Sequence, residues 1–324
     1  MATAKQKEIL ADTQATVLHQ DPEHTVYRLD GADGEVVQTV YPVFPGIEIA
    51  YHDVHAAACA MQRAHTPGCL EIHHCREGRI EQEFEDHFFY LTPGDLSIAI
   101  RTYEVKAFSF PLRHYHGVTI AIDTRVAPAC FSAFLDDVQV QPMEVARKLC
   151  GNRQCHIIRG ERYVEHIFSE LYSVPENIRA GYMKLKVLEL LLVLHGLNPA
   201  PRPEDEIALS RFQVQLAKRA AAHLSAHMDR HITIAALARH FNVSETHLKL
   251  AFKGVFGVPI FSYMRIQRMQ MAAQLLIHSD RSIADVAAES GYENSGKFSA
   301  AFREIMGESP SGYRRAHSKR VKSR

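Results

Sequence analysis

The stretch SIADVAAESGYENSGKFSAAFREIMG, residues 282–307, decides how the C-terminal third of this chain folds. Its apolar residues Ile283, Val286 and Ala287 recur at i, i+3 and i+4, and Phe298, Ala301, Phe302 and Ile305 at i, i+3, i+4 and i+7. Each set therefore lines one face of a helix. Ser282 and Asn294 stand immediately ahead of the two sets as N-cap residue types. Gly291-Tyr292-Glu293 supplies turn chemistry between them, and Gly307 ends the second. A short helix, a tight turn and a capped second helix are predicted.

The same pattern occurs in ITIAALARHFNVSETHLKLAFKGVFG, residues 232–257. Ile234, Leu237 and Ala238 precede Ile283, Val286 and Ala287 by 49 residues, and Leu248, Ala251, Phe252 and Val255 precede Phe298, Ala301, Phe302 and Ile305 by 50. Gly257 and Tyr263 return at Gly307 and Tyr313. Two copies are too few for a solenoid, and their layout is that of a pair of helix-turn-helix units, about 233–256 and 282–306. The apolar face of each second helix leaves a polar one: Glu245, Thr246, Lys249 and Lys253 in the first copy, Ser295, Lys297, Ser299 and Arg303 in the second. Such a helix enters a major groove by its N-terminal part, where short polar groups and Lys meet base edges while later cations meet phosphate.

Between the copies, Pro259 to about His278 reads as one long helix with Met269, Ala272, Ala273 and Leu276 inward and Arg265, Arg268 and Gln270 outward. As a rigid spacer it would set the recognition helices in successive grooves about 34 Å apart. Upstream, Phe212, Leu216, Ala220, Leu224 and Met228 recur every fourth residue and predict an amphipathic entry helix.

Charge agrees with a nucleic-acid partner. The 324 residues carry 37 basic and 37 acidic side chains, but residues 208–324 hold 18 Lys and Arg against 8 Asp and Glu, a net of +10. The basic run closes in a tail at 317–324. A basic domain joined to an acidic one points to a polyanion partner for the former. A Pro-rich acidic linker is expected at 198–207. The polar start MATAKQKEILADTQ lacks the apolar core of a signal peptide, and no run reaches the ~20 apolar residues of a membrane span, so a cytoplasmic protein with no membrane partner is expected.

Residues 1–197 read as a separate domain. From about 26 to 122, short β-branched and aromatic runs alternate with turn signals such as Asp33-Gly34, Pro67-Gly68 and Pro93-Gly94-Asp95, which implies a barrel or sandwich. From about 128 to 197 the period turns helical, with helices expected near 128–137, 143–150, 161–173 and 178–196. In the last of these Met183, Val187, Leu190, Leu191 and Leu194 form an apolar stripe that Leu185, Leu188 and Leu192 widen, so a homodimer contact is expected there. The six cysteines all lie in this half and read as free, mostly buried thiols, with Cys150-x4-Cys155-His156 too sparse for a metal site.

The double motif of residues 208–316 resembles the AraC/XylS family of bacterial transcription regulators, with 282–315 closest to the family signature. The resemblance implies an α+β chain of two domains, a cupin-like β-barrel sensor with following helices and an all-α double helix-turn-helix, acting on promoter DNA with RNA polymerase. By position the base-facing residues are Glu245, Thr246, Lys249 and Leu250, then Ser295, Gly296, Ser299 and Ala300, with Lys253, Lys297 and Arg303 on phosphate. Leu250, Gly296 and Ala300 stand where relatives often carry Arg or another polar group, which shifts weight toward phosphate contacts and DNA shape.

LEIHHCREGRIEQEF followed by YLTPGDLSIAI resembles the cupin-like barrels of such regulators. Glu71 occupies the position of a cupin metal glutamate, but Ala64 and Thr66 replace the His-x-His pair and no His follows in residues 97–108. Neither a metal nor another cofactor is therefore expected, nor enzymatic activity. Glu71, His73, Cys75, His114 and His116 are the candidate pocket for a small-molecule effector. The alternative reading makes them a metal, haem or thiol redox sensor, with a metalloenzyme fused to the DNA-binding part as a third.

Overall fold

The computed structural model describes residues 15–30, 34–59, 69–84, 87–101, 108–127, 140–151, 155–198, 209–228 and 232–321. The chain divides into two compact units, Met1–Ala208 and Leu209–Arg324. The expected helix at 128–137, most of the linker at 198–207, the cupin-pair positions Ala64–Thr66, Cys130 and the last three residues of the basic tail lie outside the described residues.

In the first unit β1 (Ala15–Gln20), β2 (Thr25–Asp30), β3 (Glu35–Phe44), β4 (Ile47–His55), β6 (Cys69–Gly78), β9 (Leu96–Arg101), β11 (Tyr115–Asp123) and β12 (Cys155–Ile158) form an antiparallel sheet in the order β1-β2-β3-β4-β11-β6-β9-β12. A second sheet carries β8 (His87–Leu91), β7 (Ile80–Phe84), β10 (Phe108–Ser109) and β5 (Ala58–Cys59) side by side. The expectation of a closed barrel is corrected: no strand pairing joins the two sheets among the described residues. The strand region also extends further than 26–122 suggests. β1 precedes it, and β12 interrupts the stretch read as helical, because four residues between helical patterns carry too little periodicity to be recognised.

Burial explains the layering. Period-two alternation sends Leu70 and Ile72 of β6, and Val118, Ile120 and Ile122 of β11, to one face. There they meet α1 (Pro142–Cys150), α2 (Arg162–Ser173) and α3 (Arg179–Gly196) through Val145, Leu149, Ile167, Phe168, Val187 and Leu191. Cys75 of β6 joins Ile80, Leu91, Phe108 and Phe110 on the other face. The central strands are therefore covered on both sides, as their nearly unbroken burial requires. Within α3, Met183, Val187, Leu190, Leu191 and Leu194 are buried as expected, whereas Leu185 and Leu192 are 62% and 39% exposed.

The second unit is all helical apart from its first residues: α4 (Arg211–Ala226), α5 (Ile234–His240), α6 (Glu245–Phe256), α7 (Ile260–His278), α8 (Ile283–Glu289), α9 (Ser295–Met306) and α10 (Pro310–Val321). Phe212 departs from the expected inward stripe of α4 and is 61% exposed, because Val214, Ala217 and Ala221 occupy the buried side beside Leu216, Ala220 and Leu224. The fold of this unit is repeated down to ring geometry. Tyr263 meets Phe252 edge-on at 5.3 Å and 78°, and Tyr313 meets Phe302 at 5.5 Å and 79°. No helix among the described residues is long and apolar enough to cross a membrane.

One buried group carries a pH consequence. The His74 ring stacks on Phe168 at 4.2 Å with its planes 3° apart, and neither ring nitrogen has a hydrogen-bond partner among the described residues. Burial lowers its pKa from the usual 6.5 to about 4. The folded chain thus keeps this imidazole neutral where the unfolded chain protonates it. The stability involved is complete above pH 6.5 and declines as the pH falls from there toward 4, with a slope of at most about 1.4 kcal/mol per pH unit. His74→Leu, which removes two unpartnered polar atoms, is expected to be neutral or stabilising at pH 7 and to flatten this acid limb. Thermal unfolding of both proteins between about pH 7 and pH 4.5 checks this, and equal acid sensitivity would refute it.

Candidate functional site

Each recognition helix is fixed at both ends by local chemistry. Ser244 Oγ accepts from His247 N at 3.2 Å, and Asn294 Oδ1 accepts from Gly296 N and Lys297 N at 2.8 and 3.0 Å. These bonds satisfy first-turn amides that would otherwise have no partner. The helices end on Gly257 and Gly307, whose left-handed φ values of 77° and 80° suit glycine. In the turns, Asn242 and Gly291 take φ values of 54° and 79°, and Val243 N and Tyr292 N donate back to Ala238 O and Ala287 O. Leu248, Ala251, Phe252 and Val255 are buried in α6, and Phe298, Ala301 and Phe302 in α9.

The opposite faces carry the candidate DNA contacts. Glu245, Thr246, Lys249, Leu250 and Lys253 are exposed on α6; Ser295, Gly296, Lys297, Ala300 and Arg303 are exposed on α9, with Ser299 half-buried. Lys249 Nζ lies 3.2 Å from Glu245 Oε2, one turn back. Both partners are about half exposed, so the pair is worth no more than about 1 kcal/mol and yields easily to another acceptor. Leu250 is 64% exposed, an apolar side chain in the middle of the polar face.

Three arginines differ from their expected freedom. Arg265 of α7 is paired with Glu304 of α9 through both terminal nitrogens. Arg268 donates to Met228 O at 3.3 Å and lies against Gly291. Arg314, just ahead of the basic tail, donates to Leu276 O and Arg281 O from within α10. These cations tie separate elements together, with the Arg265 pair on the surface.

In the first unit, the five candidate pocket residues fall into separate places. Glu71 and His73 face the second sheet as part of a buried row. Nε2 of His73 lies 3.0 Å from Glu71 Oε2, its Nδ1 lies 2.9 Å from Thr119 Oγ1, and Thr119 Oγ1 lies 2.7 Å from His52 Nε2. With His73 neutral, donation runs one way along the row: His52 to Thr119, Thr119 to His73, and His73 to Glu71. Gln38 stands opposite His52 and Ser97 opposite His73 in the strand register, and both are buried. Ser97 Oγ has no partner among the described residues. Sequence reading missed His52, Thr119, Ser97 and Gln38. The signal for Thr119 was present, since Val118, Ile120 and Ile122 on one face leave it on the other.

Cys75 is on the same side of β6 but sits in the apolar cluster around Leu91 and Phe110. Cys59, Cys75 and Cys150 are buried and Cys69 and Cys155 half-buried, all as free thiols. Burial pushes Cys59 up to about 12 and Cys150 to about 11, and raises Cys75 further, so these are poor thiolates. His114 and His116 lie elsewhere, with His55, Asp53 and Glu77 at the other end of the strands. Asp53 and Glu77 both pair directly with His116 in the register. His114 is held below the usual histidine value by burial and by its neighbours His116 and His55.

A helix-turn-helix domain model matches residues 237–316. The lactose operon transcription activator of Staphylococcus xylosus is 32% identical over 282 residues, covering 83% of this chain and 90% of that protein. The HTH-type transcriptional regulator ExsA of Pseudomonas aeruginosa is 30% identical over 131 residues, 39% of this chain and 45% of its own length. The arabinose operon regulatory protein of Escherichia coli is 30% identical over 163 residues, 48% of this chain and 53% of its own length. The chain thus spans about half the length of the last two, and nearly all of the first. Together with the duplicated, capped helix pairs and their exposed polar faces, these likenesses show that the chain belongs to the AraC/XylS family of DNA-binding transcription regulators.

Proposed function

We propose that the protein controls promoters by placing α6 and α9 in successive major grooves, with Glu245, Thr246, Lys249 and Leu250, then Ser295, Gly296, Ser299 and Ala300, toward base edges and Lys253, Lys297 and Arg303 toward phosphate. The observation that carries this reading is the two-sidedness of both helices: one face is buried, and the other offers exposed polar and basic groups. Leu250 suits a thymine methyl, which is read by apolar contact in the major groove. The small side chains of α9 suit close approach and recognition of DNA shape. RNA polymerase is the partner such promoter control would require.

The first unit serves in this reading as a cupin-like sensor whose effector is a small polar molecule bound between the sheets. Its support is the buried row of Glu71, His73, Thr119 and His52 with Ser97 beside it, a concentration of hydrogen-bonding groups that a purely structural interior would not favour. A homodimer formed along α3 completes the proposal. Ile178, Leu185 and Leu192 recur every seven residues, and all three are exposed, at 49%, 62% and 39%. A heptad-spaced apolar line of this kind suits a second copy of itself.

Two experiments test these readings. Lys249→Ala is expected to change which operator bases are preferred, at a cost of about 1–3 kcal/mol at the affected base. Arg303→Ala should instead weaken all sequences alike and reduce the salt slope by about one. Binding of both variants to an operator library and to random DNA at several salt concentrations measures this, and a uniform loss for Lys249→Ala would refute the docking. For assembly, the double variant Leu185→Asp, Leu192→Asp should convert a dimer to a folded monomer by light scattering. A wild-type monomer, or a dimer unaffected by the two changes, would overturn the α3 interface.

A further inference from the structure

We propose that His55, His114 and His116, with Asp53 as fourth donor, form a binding site for one divalent first-row transition ion, best suited to zinc. The site is on the helix-bearing face of the larger sheet and is separate from the interior row of Glu71 and His73. One ligand atom from each of the three histidines lies within 4.8 Å of the others. The imidazole nitrogens of a tetrahedral zinc site stand about 2.0–2.1 Å from the ion, hence about 3.4 Å apart, so rotation of these surface side chains by about 1 Å closes the set. Asp53 stands beside two of the three, with Oδ1 3.0 Å from His55 Nε2 and 2.8 Å from His116 Nε2. Three imidazoles and a carboxylate are a donor set for zinc, and also for cobalt, nickel and copper, but not for magnesium or calcium.

The backbone holds these donors by non-local pairing. His116 on β11 lies directly between Asp53 on β4 and Glu77 on β6, and His55 follows two residues along β4 on the same face. His114 is brought in by the turn before β11, where Arg113 has a left-handed φ of 57°. Gly78 makes that approach feasible: a Cβ there would stand 2.0 Å from His114 O. Glu77 completes an outer layer. Its Oε2 lies 3.6 Å from both His114 Nε2 and His116 Nδ1, placed to take a ring N–H from an imidazole that coordinates through its other nitrogen.

A second cluster, His19, Asp21 and His24, provides an internal control. There Oδ1 of Asp21 is already engaged by the backbone N–H groups of Glu23 and His24 at 2.8 and 2.7 Å, as a turn lock. Among the described residues it brings together two imidazoles and one carboxylate.

The test uses the full-length protein stripped with chelator and titrated with Co2+, whose ligand-field absorption reports coordination by nitrogen and oxygen donors. One equivalent per chain is expected to bind with a visible band that Zn2+ abolishes. The band should be lost in His55→Ala and in His116→Ala, each checked for native circular dichroism. It should persist in the double variant His19→Ala, His24→Ala, and Glu77→Gln should weaken binding by about 10- to 100-fold. Absence of a band in the wild type at saturating Co2+, or a band that survives both His55→Ala and His116→Ala, would overturn the site.

Discussion

Phe252 and Phe302 occupy equivalent positions in the two copies, both with no side-chain exposure, and the DNA-binding half depends on their burial. Each anchors the middle of a recognition helix against the tyrosine eleven residues later, Tyr263 in the first copy and Tyr313 in the second. Removing a buried Phe of this kind costs about 3–5 kcal/mol, a large share of what a domain has to lose. The same anchoring fixes the rotation of the helix about its axis. With Leu248 and Phe252 inward, Glu245, Lys249 and Leu250 have nowhere to point but out.

The front unit solves a harder problem. β6 and β11 are covered on one face by α1–α3 and on the other by the second sheet, so the polar side chains on their inner face are shielded from solvent and need partners within the protein. Thr119 meets that need with a hydroxyl able to donate and accept at once. His74 of β6, on the opposite face of the sheet, is buried differently: it stays neutral and stacks as a flat ring on Phe168.

What could be read from the sequence was what is local. The caps Ser282 and Asn294, the glycines after the recognition helices and the inward faces of both copies follow from neighbours within a turn or two, and they are found where the spacing places them. Phe212 misled because an every-fourth stripe alone does not fix which edge of a helix is buried. Arg268 misled because its acceptor is a backbone carbonyl 40 residues away. The five residues read as one pocket proved to lie at two ends of the strands, because period-two alternation tells which face a residue takes but not its height along it. His55 and Asp53 were invisible for the same reason: only the register of β4 against β11 brings them to His116.

Helix α7 belongs to both helix-turn-helix cores. Its Tyr263 packs on Phe252 and Phe256, while Met269, Ala272 and Leu276 lie among Val286, Phe298 and Phe302. At 1.5 Å per residue its 19 residues act as a ruler about 28 Å long, and at 100° per residue they also act as a protractor. One residue inserted at its middle would leave both cores packed, yet turn one reading head by more than a quarter circle against the other. In the proposed docking, the phase between the two half-messages on the DNA is therefore written in the length of a single helix, and it can change only in steps too coarse for the same operator to follow.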